Sequence, residues 1–168
     1  VGKNIDIKQL AYRIQNFLST EGFAKTRVAK DPYGHYFDVL VDLDATSPLR
    51  NVGDITGAYQ QFVEEDSEIL ITGNPARKNP YFNMVEKING RIQKVKELDK
   101  SPTRRQDAPE VFDVNASIYI WKREAILNSD TLITNKTSLY IMPEERSVDI
   151  DTDLDWQFVE FIINKIQQ

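Results

Sequence analysis

Tyr36-Phe37-Asp38-Val39-Leu40-Val41-Asp42-Leu43-Asp44 has an almost continuous apolar middle. A strand with one wet face alternates apolar and polar residues. A run that is apolar on both sides belongs to a strand covered on both faces, as in a parallel sheet between helices. The neighbouring segments supply such cover. Before the run, Ile7, Leu10, Ala11, Ile14, Phe17 and Leu18 keep a 3, 4, 7 rhythm, so a helix is predicted there, ended by Gly22. Asp31-Pro32-Tyr33-Gly34 marks a turn within the link 26–36. After the run, Ile55, Ala58, Tyr59, Phe62 and Val63 form a second helical stripe, with Asp54 as its predicted cap. Residues 68–73 then read as another buried strand. Strand, helix, strand in that order argues an α/β fold.

The 168 residues are enough for one domain with a real core. The net charge of −5 argues against a general nucleic-acid binder, though it leaves room for a local basic pocket. There is no cysteine, which excludes thiolate metal sites and cysteine nucleophiles. His35 is the only histidine, so a multi-histidine metal centre is excluded as well. It lies in a polar link and reads as a surface residue. No apolar run approaches the roughly 18 residues of a membrane span, and no signal peptide is visible. The expectation is a cytoplasmic protein with no membrane partner. No Walker-type or G-x-G-x-x-G loop occurs.

In the second half, residues 83–88 and 91–95 flank Asn89-Gly90, a hairpin with a type I′ turn. Residues 97–109 are strongly polar. Residues 116–121 read as strand, 123–128 as a short helix and 138–142 as strand. Then comes Glu-Glu-Arg-Ser-Val-Asp-Ile-Asp-Thr-Asp-Leu-Asp over 144–155, which places Asp149, Asp151, Asp153 and Asp155 on alternate positions. Leu154, Trp156, Phe158, Val159, Phe161, Ile162, Ile163 and Ile166 follow at largely helical spacing. The acids thus stand where extended chain enters a C-terminal helix, and its dipole favours them there. On extended chain Asp149 and Asp151 share a face. Paired carboxylates repel, and Mg²⁺ suits their hard oxygens.

Other readings of this stretch stay open. Thr152 or Asp153 caps the helix and the remaining acids are solvated. A calcium loop would use Asp149, Asp151, Asp153 and Glu160, but Leu154 stands where glycine is required. A phosphatase-type D-x-D-x-T has Asp153 in place of its threonine. Elsewhere, Thr46, Ser47 and Arg50 occupy the loop at the carboxyl end of the first strand, where α/β sheets bind ligands. The plain alternative is a turn shaped by Ser47 and Pro48. Arg77, Lys78, Arg104 and Arg105 are candidates to neutralise phosphate, or are solvated loop residues. Asn115 either meets a ligand or caps a turn. Tyr119 and Trp121 alternate on one face and are most simply core.

Taken in order, several blocks resemble the acylneuraminate cytidylyltransferases, or CMP-sialic acid synthetases. Leu43-Asp44-Ala45-Thr46-Ser47-Pro48-Leu49-Arg50 resembles the family's L-Q-P-T-S-P-L-R. Asn79-Pro80-Tyr81-Phe82-Asn83-Met84-Val85-Glu86 resembles its next block. Arg105-Gln106-Asp107 and then Asn115-Ala116-Ser117-Ile118-Tyr119-Ile120 resemble its R-Q and N-G-A-I-Y-I. Ser147-Val148-Asp149-Ile150-Asp151-Thr152-Asp153-Leu154-Asp155 resembles S-I-D-I-D-T-E-L-D. Each block is short; their shared order is the specific signal.

The resemblance implies a Rossmann-like, three-layer nucleotide-diphospho-sugar transferase fold with a mixed sheet. A β-hairpin insertion at about 80–112 would serve dimerisation, with Arg104 or Arg105 near the partner's pocket. It implies transfer of CMP from CTP to the anomeric hydroxyl of a nine-carbon 2-keto acid sugar, releasing pyrophosphate. Asp149 and Asp151 would be the catalytic, Mg²⁺-holding pair. Asp44, Thr46, Ser47, Arg50, Arg104, Arg105, Gln106, Asn115 and Tyr119 would bind substrate.

Two departures qualify the resemblance. The family's amino-terminal I-P-A-R-x-G-S-K block is not in the sequence, and Gly2-Lys3-Asn4-Ile5 does not replace it. Residues 1–168 are therefore expected to be the carboxyl-terminal portion of one cytidylyltransferase domain. On the order of 60 residues would precede them, and alone they would lack much of the CTP site. The second departure is Asp44 in place of the family's glutamine. A carboxylate accepts hydrogen bonds and donates none, so tolerated sugar substituents change. Relatives with D-L-D-x-T-S-P-L-R look like synthetases for legionaminic-type sugars. The competing functions are a non-catalytic binding or dimerisation module of the same fold, and a magnesium-dependent phosphohydrolase.

Overall fold

The computed structural model describes residues 37–99 and 104–166. The helix expected over 7–18, the turn at 31–34 and His35 lie outside the described residues. The described residues form two compact units, one of residues 37–73 with 114–166 and the other of 74–99 with 104–113.

The larger unit is built on a four-stranded sheet of order β1-β5-β2-β6. Its strands are β1 (Val39–Leu43), β2 (Ile69–Pro75), β5 (Phe112–Lys122) and β6 (Thr137–Ile141). β1 pairs antiparallel with β5, with Asp42 opposite Tyr119, while β2 pairs parallel with β6. Lys122 N–H bonds to Glu68 C=O and Ile118 N–H to Thr72 Oγ1, so β5 also runs against β2. β1, β2 and β6 therefore share a direction, and their carboxyl ends lie at one end of the sheet. The α/β class is as expected from the alternating pattern, and the mixed sheet is as the resemblance implied; β1, read as a strand of a parallel sheet buried on both faces, instead ends the strand order, pairs antiparallel with β5 and has only Val41 fully buried. β2 is buried on both sides from Ile69 to Asn74, as the central strand of a covered sheet must be.

Helix α1 (Val52–Glu64) covers one face. Its Ala58 and Phe62 pack with Val41, Leu70, Ile118, Ile120 and Met142, flanked by Ile55, Tyr59 and Tyr140. Leu70, Ile118 and Ile120 are completely buried, each stabilising by roughly 1.5–3 kcal/mol relative to exposure. On the other face, Ala125 of the short helix α2 (Arg123–Asn128) packs with Ile69 and Ile71, beside Tyr119, Trp121 and Leu139. Tyr119 and Trp121 are thus partly core, as their alternation suggests.

The cap of α1 differs from expectation. Asn51 is the N-cap and accepts from Asp54 N–H, while Asp54, three residues on, accepts from Asn51 N–H. The aspartate belongs to a capping box and is not the cap itself, because the helix starts one turn earlier than its apolar stripe. β5 starts earlier than predicted, at Phe112, and Ala116 within it has φ 51°, a left-handed backbone conformation inside an otherwise extended strand. Helix α3 (Asp153–Ile166) begins inside the acidic stretch, with Asp153 and Asp155 in its first turn. Among its described apolar side chains only Val159 is fully buried; Leu154, Trp156, Phe158 and Phe161 are exposed.

The smaller unit contains the hairpin of β3 (Val85–Ile88) and β4 (Arg91–Lys94), paired antiparallel. Asn89 and Gly90 both have positive φ, as the I′ turn requires. Asn79 organises the approach: its Oδ1 accepts from Tyr81 N–H and its Nδ2 donates to Pro109 C=O. Met84, Val85, Ile88, Ile92 and Val95 are exposed.

Candidate functional site

The loop after β1 is held by its own polar atoms. Asp44 Oδ1 accepts from Thr46 N–H at 3.0 Å and from Thr46 Oγ1 at 2.8 Å. Arg50 Nη1 donates to Ser47 C=O at 2.8 Å, to Ser117 C=O at 3.4 Å and to Asp44 C=O. Burial lowers the Arg50 pKa, opposed by the charges of Asp44 and Asp42. Ser47 is completely buried, and its hydroxyl donates to Asn115 C=O at 3.4 Å. Ser47 and this arm of Arg50 therefore shape the loop, in line with the plain alternative, and Thr46 is exposed.

Asn115 is a buried hub. Its Oδ1 accepts from Thr72 Oγ1 at 2.7 Å and from Ser117 N–H at 3.2 Å. Its Nδ2 donates to Met142 Sδ at 3.4 Å. The bond to Ser117 spans Ala116 and holds that residue in its left-handed conformation. Only about one twentieth of Asn115 is exposed, so its role here is to tie β5 to β2 and to the end of β6.

The acidic segment meets this loop. Met142 N–H continues the β6–β2 ladder onto Gly73 C=O, a 3₁₀ turn follows at Glu144–Arg146, and Ile150 N–H then donates to Thr46 C=O at 3.0 Å. That bond seats Asp149 and Asp151, on either side of Ile150, against the Thr46 loop. Asp151 is exposed. Asp149 is half-buried, and its Oδ1 is shut from solvent without a hydrogen-bond partner. The two aspartates thus differ in environment, although their alternation placed them on one face. Thr152 and Asp155 close the start of α3 reciprocally: Thr152 N–H and Oγ1 donate to Asp155 Oδ2 at 2.8 and 2.7 Å, and Asp155 N–H donates to Thr152 Oγ1. The hydroxyl bond chiefly holds the Asp155 carboxyl below its usual range. The capping reading of Thr152 is therefore correct for the helix start. A calcium loop over 149–160 is excluded, because from Asp153 onward that stretch is helical.

Tyr119 stands among the acids. Its phenol pKa is raised by burial first, then by the charges of Asp42, Asp44 and Asp149. Asp42 is itself raised by burial and by Asp44, with Arg50 pulling the other way. Asp42 was not singled out in the sequence. Its spacing from Asp44 along one strand was the available signal, hidden by its place inside an apolar run. Arg146 and Asp54 were also missed as a pair, since nothing in the sequence joins positions so far apart.

A carboxylate oxygen that is buried and unpaired is unfavourable and calls for a cation or a donor. Mg²⁺ needs only one or two protein carboxylates when phosphate oxygens supply the rest. Asp149 with Asp151 fits that demand. Among the described residues, no group of three or more histidines or carboxylates converges as an all-protein metal cage. Arg104, at the start of a 3₁₀ turn that includes Arg105 and Gln106, belongs to the smaller unit; Arg104 and Gln106 are exposed.

Fold and site together define an α/β protein with an acidic cluster beside the carboxyl end of β1, the end of such sheets at which ligands usually bind. Comparison with known proteins carries this further. The chain is 38% identical over 164 residues to post-translational flagellin modification protein B of Campylobacter coli, covering 94% of this chain and 69% of that protein. It is 49% identical over 128 residues to CMP-N,N'-diacetyllegionaminic acid synthase of Campylobacter jejuni, covering 76% of this chain and 54% of that protein. It is 29% identical over 141 residues to an N-acylneuraminate cytidylyltransferase of Streptococcus agalactiae, covering 83% of this chain and 34% of that protein. No family model matches the chain. The chain belongs to the acylneuraminate cytidylyltransferase family. It spans about two thirds of the first of these relatives and about half of the second.

Proposed function

We propose that this chain carries the metal and sugar side of a CMP-sugar synthase. The reaction is attack of the anomeric hydroxyl of a nine-carbon 2-keto acid sugar on CTP: a bond forms between the anomeric oxygen and the α-phosphorus, the hydroxyl proton is lost to water, and the bond to the departing pyrophosphate breaks. The observation that carries the reading is the Ile150–Thr46 bond, which brings Asp149 and Asp151 to the loop at the end of β1, with one Asp149 oxygen unpaired. Asp149 and Asp151 would hold Mg²⁺, whose contribution is to neutralise phosphate charge as it shifts toward the leaving group. Thr46 and Tyr119 lie where the sugar would be met. Asp44 commits Oδ1 to Thr46, and its carboxylate adds negative charge beside Tyr119. A legionaminic-type sugar, presenting acetamido N–H donors, suits such a site. The likeness to the C. jejuni legionaminic acid synthase supports that choice.

The protein acts as a homodimer in this reading. A two-stranded hairpin is marginal alone, and this one leaves Val85 and Ile92 more than 60% exposed, which favours a covering subunit. Among the described residues no helix is long and apolar enough to cross a membrane.

The test uses the full-length protein with CTP, Mg²⁺ and, in turn, N,N'-diacetyllegionaminic, N-acetylneuraminic and pseudaminic acids. Magnesium-dependent pyrophosphate release, fastest with the legionaminic sugar, is expected. Asp151→Asn should abolish turnover with an unchanged circular dichroism spectrum. No pyrophosphate with any of the three sugars would refute the synthase reading.

A further inference from the structure

Between the 3₁₀ turn Glu144–Arg146 and α3, the chain bearing Asp149 and Asp151 has no regular secondary structure. Side chains on irregular backbone hold a working geometry only where supporting contacts fix that backbone. Downstream, the Thr152–Asp155 pair supplies one anchor. In the middle, Ile150 N–H on Thr46 C=O supplies another. Upstream, the anchor is a forked ion pair to a different element. Arg146 Nε lies 2.8 Å from Asp54 Oδ2, and Nη2 lies 2.9 Å from Asp54 Oδ1. Asp54 is 1% exposed and takes a further bond from Asn51 N–H at 2.9 Å.

This pair differs from surface salt bridges such as Lys136–Glu68, where both side chains are substantially exposed and the net contribution is small. Asp54 is already part of a complete capping box with Asn51, so α1 does not need Arg146 to be capped. What Arg146 adds is direction. Two parallel bonds fix the plane of its guanidinium against the first turn of a packed helix. Ser147 tightens the same corner, its hydroxyl donating to Pro143 C=O at 2.9 Å and its N–H to Glu144 C=O. The chain is thereby fixed three residues before Asp149.

We propose that Arg146, held by Asp54, is a positioning residue for Asp149 and Asp151: the pair sets where the acidic segment lies over the Thr46 loop and so how well it holds a divalent cation. This rests on the metal reading given under Proposed function.

The experiment measures Mn²⁺ binding to the full-length protein by electron paramagnetic resonance, without turnover, together with amide hydrogen exchange. Asp151→Asn serves as the control and should lose Mn²⁺ binding. Arg146→Met and Asp54→Asn should each weaken Mn²⁺ affinity roughly ten- to hundredfold, the usual effect of losing support behind a metal ligand. The double variant should be no worse than the weaker single, because both remove one pair. Arg146→Lys, which keeps the charge without the fork, should recover part of the affinity. Exchange at the Ile150 amide should quicken in Arg146→Met while the Ile118 and Ile120 amides keep their protection. Wild-type Mn²⁺ affinity in Arg146→Met and Asp54→Asn, with Asp151→Asn defective, overturns the positioning role and leaves the metal reading standing. Wild-type affinity in Asp151→Asn overturns the metal reading itself. Should Arg146→Met fail to fold, Arg146→Lys and Asp54→Asn carry the test, and unchanged affinity in both overturns the proposal.

Discussion

Asn115→Ala separates scaffold from ligand contact at the residue whose sequence position suggested a sugar-pocket role. The substitution removes the acceptor for Ser117 N–H and for Thr72 Oγ1, and the donor to Met142 Sδ. Thr72 is least affected, since its hydroxyl still faces Ile118 C=O at 3.1 Å and still accepts from Ile118 N–H. Ser117 is the larger loss: it is completely buried, and an N–H left there without a partner costs about 1–3 kcal/mol. Truncating a buried side chain adds about 1 kcal/mol of lost packing. Ala116 contributes with the opposite sign. Its left-handed conformation costs about 1–2 kcal/mol and is held by the Asn115–Ser117 bond, so part of that strain relaxes once the bond is gone. The balance is a destabilisation of about 2–3 kcal/mol. It is read by urea unfolding of the full-length protein, followed by the fluorescence of Trp121, which packs beside Ile69 and Ile71. Ala116→Gly in the Asn115→Ala background should recover part of the loss, since glycine adopts φ 51° without strain. A loss below about 0.5 kcal/mol with a several-fold rise in sugar KM would refute the scaffold role and put Asn115 in contact with substrate.

Gly57→Ala should destabilise, although alanine is normally the better helix residue by about 1 kcal/mol. A Cβ there would sit 2.5 Å from Tyr140 Oη and 3.0 Å from Cζ, and displacing that packed ring should outweigh the propensity gain and lower the melting temperature. Asp42→Asn should stabilise at pH 7 and lose its advantage in acid. The folded Asp42 carboxyl is raised, so ionisation disfavours folding as pH climbs past its unfolded value, while below that value both side chains are neutral. Melting scans from pH 3 to pH 8 check the sign; an advantage that grows toward low pH would contradict it.

The elements were legible where local physics decided them. Apolar runs gave β1 and β2, Asn89-Gly90 gave the hairpin turn, and the 3.6-residue stripe of Ile55, Ala58, Tyr59 and Phe62 gave α1. The cap of α1 was misplaced because Asn51 lies outside the stripe and its partner is a backbone N–H, which periodicity does not register. The early start of β5 was hidden because Asp113 and Asn115 are polar. Asn115 belongs in the interior only because Thr72 and Met142, from two other points of the chain, join Ser117 of its own strand in satisfying it.

The same distinction governs the site. Asp149 and Asp151 stand out in sequence because four alternate acids in seven residues are conspicuous. What separates them is tertiary. Ile150 turns its N–H onto Thr46, which leaves Asp149 half-buried with an unpaired oxygen and Asp151 exposed. A local pattern identifies a pair of carboxylates; burial differentiates them. An inward, desolvated carboxylate has few ways to be satisfied and makes a tight cation ligand, whereas an outward one still exchanges with water at little cost. In the metal site proposed above, Asp149 would therefore be the buried ligand of the two and Asp151 the solvent-facing one, and binding would need both.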